Sequence, residues 1–152
     1  VEGAVALALA DGAVASAWEE GAVALALADG AVAVECGKPW QGPIPKGTPA
    51  IKDLDGKLLL AIKAGATLEM GDWHNKACAT THCRAGHYIA IAGKKGKALE
   101  AKFGPFVAGA AIFAASYPGD PIPDFFASNE AAMADITRRV EDEKEQARRV
   151  DH

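Results

Sequence analysis

The sequence predicts an α+β chain: a short β-solenoid of nonapeptide repeats followed by a small, mostly α-helical domain. Three observations carry this reading. A nine-residue repeat runs without a gap through the first 38 residues, a Pro/Gly-rich stretch overlaps its end, and the remainder shows helical spacing with start and stop signals. Composition divides the chain at the same place, because residues 1–36 hold no Lys or Arg and all 16 basic residues lie from Lys38 onward. The predicted organisation is therefore residues 1–36 as solenoid, 37–50 as linker and 51–152 as helical domain.

Aligned on glycine, the repeats read GAVALALAD from Gly3, GAVASAWEE from Gly12, GAVALALAD from Gly21 and GAVAVECGK from Gly30. Larger side chains alternate with Ala, as in Val5, Leu7 and Leu9, which is the period of a strand with one buried face. Asp11-Gly12, Glu20-Gly21 and Asp29-Gly30 mark the turns, since glycine supplies the positive φ that other residues resist. A nine-residue unit cannot bury its own face, so units stack, two to an 18-residue coil. Val5, Val14, Val23 and Val32 then form one ladder, and Leu9, Trp18, Leu27 and Cys36 another. An antiparallel meander turning at the same Asp-Gly steps competes with this arrangement, and the fixed period favours the solenoid. A helix fits poorly, because strict alternation with glycine at every ninth position leaves no 3.6-residue stripe. Four units leave an open strand edge, which calls for a cover: further repeats ahead of Val1, or association with other copies of the chain.

Residues 37–50, GKPWQGPIPKGTPA, carry four prolines and three glycines and read as an extended connector, pinned by Trp40 and Ile44. Asp53 or Asp55 caps a helix through about Ala64, burying Leu54, Leu58, Leu59 and Ile62 and stopping at Gly65. A second helix starts near Thr81 and ends at Ala92 before Gly93. A third opens with Pro105 and runs to about Ser116, ahead of Tyr117-Pro118-Gly119. Ser128 or Asn129 caps the last helix, whose core stripe is Met133, Ile136 and Val140 and whose end, Glu141 to Arg149, is a solvated extension.

The formal charge of −4 offers no footprint for a nucleic-acid backbone, so neither DNA nor RNA is expected as a partner. Although 50% of the residues are hydrophobic, no apolar run is long enough to span a bilayer, and no secretory signal opens the chain. Three cysteines are too few for a disulfide scaffold, which favours a reducing compartment. The expected location is the cytoplasm or a virion.

One local constellation holds two His and two Cys within ten residues: His74, Cys78, His82 and Cys83. These are ligand types for tetrahedral zinc, although adjacent His82 and Cys83 point to different sides and the paired-Cys knuckle is missing. Cys83 also stands at an expected helix start, where the macrodipole lowers a thiol pKa, with His74 or His82 as a base. No orienting acid and no oxyanion hole accompany it. A Cys78–Cys83 disulfide is a third use. The residues favour a structural reading, in which Thr80 or Thr81 caps the helix, Cys83 is a small buried hydrophobe and His82 makes a hydrogen bond. His87 and His152 read as surface residues, and Trp18 and Trp73 as core or stacking residues.

Several strings across Leu68 to Ile136 resemble an uncharacterised family associated with bacterial genomes and with phage or prophage proteins. They are Asp72-Trp73-His74, Cys78-Ala79-Thr80-Thr81-His82-Cys83-Arg84-Ala85-Gly86, Gly96-Lys97-Ala98-Leu99-Glu100 and Phe125-Phe126-Ala127-Ser128-Asn129-Glu130. The resemblance implies short β-repeats ahead of such a domain and brings no activity with it. His87 and Asn75-Lys76-Ala77 depart from the family's pattern.

The expected function is that of a structural or interaction protein, a repeat stem with a helical cap that docks on a larger assembly, such as a phage virion decoration or tail-associated protein. Its partners would be proteins, met through the solenoid edge and the helical cap, with homo-oligomers among them. The alternative is a zinc-binding or thiol-active Cys/His domain. Repeats specify shape well and chemistry poorly, and no full catalytic set assembles from the helical half, so no cofactor is expected outside the zinc alternative.

Overall fold

The computed structural model describes residues 22–27, 30–70 and 81–150. The third and fourth repeats form β1 (Ala22–Leu27) and β2 (Gly30–Glu35), which pair antiparallel with Val23 opposite Val34 and Leu27 opposite Gly30. This overturns the expected β-solenoid. Stacked coils need parallel neighbours joined by crossovers of about a dozen residues. Only positions 28 and 29 separate the paired ends, and so short a connection fits a hairpin. The alternation of large and small side chains suits a strand in either topology, and the antiparallel register decides against the stacked coil. The first two repeats lie outside the described residues.

The other elements of the described chain are helices, apart from one short pair of two-residue strands. Helix α1 (Leu54–Lys63) is followed by β3 (Thr67–Leu68), which pairs in parallel with β4 (Thr81–His82). Four more helices complete it: α2 (Arg84–Ala92), α3 (Lys94–Phe103), α4 (Pro105–Ser116) and α5 (Asn129–Val150). Helix α4 is the centre. Every residue from Phe106 to Ala114 is buried, the all-round apolar character that a helix needs when others surround it. Helices α2 and α3 pack against it, while α1 lies between α2 and α5.

Local chemistry explains most boundaries. Pro105 opens α4 as expected, its missing N–H being one that no helix start can satisfy. Ser128 caps α5, accepting the Ala131 N–H on its hydroxyl at 3.1 Å. Asp53 precedes α1 with φ 58° and makes no side-chain cap. The second helix begins three residues later than expected, because Thr81 and His82 join the β-bridge and the Cys83 sulfur caps α2 by accepting the Gly86 N–H at 3.3 Å. Helix α3 is not announced by its sequence, since Gly93, Gly96 and a run of lysines read as a loop. In place, Gly96 lets α3 lie on α2: a Cβ there would stand 2.4 Å from the Ile89 carbonyl oxygen.

The 37–50 stretch contains no helix and no extended strand. Gly37 N–H donates to Ile122 O at 2.7 Å and Ile122 N–H to Lys38 O at 2.9 Å, which ties the base of the hairpin to the loop before α5. Val34, at the base of the hairpin, is buried in the helical core. Trp40 packs against that core, whereas Ile44 is exposed.

Candidate functional site

Of the four predicted metal ligands, His74 and Cys78 lie outside the described residues, as does Trp73. Cys83 is buried, and its sulfur serves as the cap of α2. The His82 ring is half-buried and stands edge-on to His87, with centroids 5.0 Å apart. His87 is not a surface residue: it is buried, and its Nε2 lies 2.8 Å from the Thr67 carbonyl oxygen. That oxygen only accepts, so Nε2 carries the proton. Among the described residues, no three His, Cys, Asp or Glu side chains converge as a metal site requires. Cys36 is half-buried, and burial pushes its thiol up; Asp124 and Glu35 push the same way against a backbone hydrogen bond from Phe125. It stays protonated at neutral pH, opposite to what a nucleophilic cysteine needs.

The structure assembles instead a buried ionic network that sequence reasoning did not find. Arg84 opens α2 with its side chain 1% exposed, and Asp55, in the first turn of α1, is fully buried. Arg84 Nε donates to the Tyr88 hydroxyl at 2.9 Å, and that hydroxyl donates to Asp55 Oδ1 at 2.5 Å. Arg84 Nη2 approaches Asp55 at 3.5 Å, and Nη1 donates to Asp135 of α5 at 2.7 Å. The Asp55 N–H donates to the Tyr117 hydroxyl at 2.8 Å. One guanidinium thus joins α1, α2 and α5, a task suited to its fixed fork of donors.

Its electrostatics follow from burial and pairing. Desolvation would lower the Arg84 pKa, but Tyr88, Asp55 and Asp135 outweigh it and hold the cation. Burial raises Tyr88 far above the usual phenol range and keeps it a neutral donor. For Asp135, burial pushes up, and the hydrogen bond and charge of Arg84, with Arg138 and Arg139, hold the carboxyl below its ordinary value. Glu143 is raised, chiefly by burial and then by Asp53 and Asp55, against a hydrogen bond from Tyr117.

Above this network, α5 and the 117–127 segment enclose a groove of about 1360 Å³. Arg84 and Asp135 reach its floor, and Asp120, Asp124, Asp142 and Glu143 stand along it. Together with Arg138 and Arg139, the lining holds five acids against three arginines. Phe126, 45% exposed and stacked on Phe106 at 5.5 Å, forms an aromatic rim. The hairpin base at Cys36 and Gly37 closes one end.

Asp55 and Arg84 did leave a trace in the sequence. Asp55 directly follows the core position Leu54, and Arg84 and Tyr88 stand four apart on one face of a helix. Compared with protein-family models, curated proteins and solved structures, the chain gives no match. Among the described residues, no helix is long and apolar enough to cross a membrane.

Proposed function

We propose that the protein is a structural or interaction protein, not an enzyme, and that it joins a larger assembly by holding a basic, extended segment of a partner chain in the groove between α5 and the 117–127 segment. The groove's excess of fixed acids carries this reading. Five carboxylates stand against three arginines, and after Arg84, Arg138 and Arg139 pair with Asp135, Asp142 and Asp120 an excess of two acids is left, so the groove favours cationic side chains. Phe126 supplies the aromatic contact that such interfaces use as an anchor. The fold beneath is stiff, because the buried network ties three helices together, and a rigid groove binds with little ordering cost. The resemblance to a phage-associated family makes a virion or tail assembly the first place to seek the partner.

The test uses the full chain and two labelled peptides, one alternating Arg with Tyr and one alternating Glu with Tyr, followed by fluorescence anisotropy. The basic peptide binds, and its affinity falls as salt rises. Asp120→Asn with Asp124→Asn weakens it about tenfold; Asp120 also pairs with Arg139 at 3.6 Å and Asp124 accepts the Phe126 N–H at 2.9 Å, and because an Asn oxygen still accepts, circular dichroism of the variant checks that the fold is kept. Equal binding of the two peptides, or no loss in the double variant, would remove the groove from the function.

A further inference from the structure

We infer that a second copy of this chain docks on the outer end of α5, antiparallel to the first, about a twofold axis near residues 145 and 146. Helix α5 has 22 residues, but its buried positions, Ala132, Ile136 and Val140, stop before its last ten. The extension from Glu141 to Val150 projects about 15 Å further. A helical segment so short does not hold itself in water, and the face that continues the buried stripe carries two apolar positions, Ala147 and Val150, beyond Glu143. Ile136, Val140, Glu143, Ala147 and Val150 follow the alternating four-and-three spacing of a heptad seam. Val140, Ala147 and Val150 line a trough of about 710 Å³ with Leu59 and Leu60 of α1. Leu60 is 65% exposed and Val150 84% exposed.

The charges select the occupant. Glu141 to Glu145 holds four acids and one lysine, a net charge of −3, whereas Gln146 to Val150 holds two arginines and no acid, a net charge of +2. A parallel copy would set like against like. An antiparallel copy sets each acidic half against a basic half, the self-complementarity that an isologous twofold interface demands. Apart from Glu143, which takes a hydrogen bond from Tyr117, these charges make exposed pairs three or four residues apart within one chain, among them Lys144–Glu141 at 3.6 Å and Arg148–Glu145 at 3.2 Å. Such pairs contribute little and exchange readily for contacts across an interface. The apolar trough then closes, with Ala147 and Val150 of each copy against Leu60 and Val140 of the other.

Sedimentation equilibrium of the full chain tests this. The expected result is a monomer–dimer equilibrium at micromolar concentration that shifts to monomer in molar salt. Two exposed charge reversals, Glu141→Lys with Glu145→Lys and separately Arg148→Glu with Arg149→Glu, each weaken self-association about tenfold or more. An equimolar mixture of the two variants forms heterodimers, and one chain carrying all four reversals dimerises again. This rescue separates docking from simple fraying of the helix end, which circular dichroism reports in parallel. A wild-type chain that stays monomeric throughout, or reversals that neither break nor rescue the dimer, would overturn the inference.

Discussion

At the scale of single residues, the helical body turns on Arg84. A buried cation is tolerated only where its hydrogen bonds and countercharges are supplied, and Tyr88, Asp55 and Asp135 supply them from three directions. Asp135 is the partner through which solution conditions act. Its folded-state pKa lies below the ordinary value of 3.8, so its contribution to stability is complete above that value and is lost as pH falls through the lower, folded-state value. Asp135→Asn keeps the shape but removes the charge facing Arg84. Its expected cost at neutral pH is about 1.5–3 kcal/mol, that of a hydrogen bond to a charged group. Urea unfolding across pH checks the sign: the difference between wild type and variant shrinks as the pH falls below 3.8. None of this network follows from local sequence, because Asp55 and Arg84 are 29 positions apart and Asp135 another 51 beyond. Charged residues among apolar ones mark a candidate, but the fold chooses the partners.

At the scale of elements, what was legible divides by the range of its cause. Pro105 and Ser128 act within one turn of their own helices, and both α4 and α5 begin where those residues place them. The start of α2 was misplaced because Thr81 serves a bridge to Thr67, an interaction across a loop that no capping rule contains. Helix α3 was missed for a related reason. Gly96 looks like a breaker locally and serves as a close-approach residue in the fold. Gly109 plays the same part where α4 crosses α2: a Cβ there would meet the Ala85 side chain at 2.6 Å and its backbone at 2.9 Å. Gly109→Ala adds helix propensity worth about 1 kcal/mol. The clash with backbone outweighs that gain, because forced separation of packed helices costs about 1–3 kcal/mol and neither helix has room to move. The expected outcome is a net loss of stability and a Tm lower by a few degrees in calorimetry. Pairing it with Ala85→Gly recovers part of the loss, since the overlap of the two methyl groups disappears and the crowding against the α2 backbone persists.

At the scale of the whole molecule, the hairpin and the helical body are unequal partners. A two-stranded hairpin is at best marginally stable in water and needs a surface to lean on. Among the described residues, Val34 and the paired hydrogen bonds between residues 37–38 and Ile122 join the hairpin base to the helical body. The helical body carries a continuous core of its own from Leu54 to Val140 among the described residues. Local opening should begin in the hairpin, because a two-stranded ribbon is marginal by itself and such units open at lower free energy than the core they adjoin. Native-state hydrogen exchange reads this directly. The amides paired between β1 and β2 should exchange first and with weak denaturant dependence, and those of α2 and α4 last, through global unfolding. Val34→Asp sharpens the test: a carboxylate in the helical core frees the hairpin base, so its amides lose protection while α2 and α4 retain theirs. Were the hairpin and the central helices to exchange together, the two would form one cooperative unit, and Val34 would be anchoring far more than its own packing accounts for.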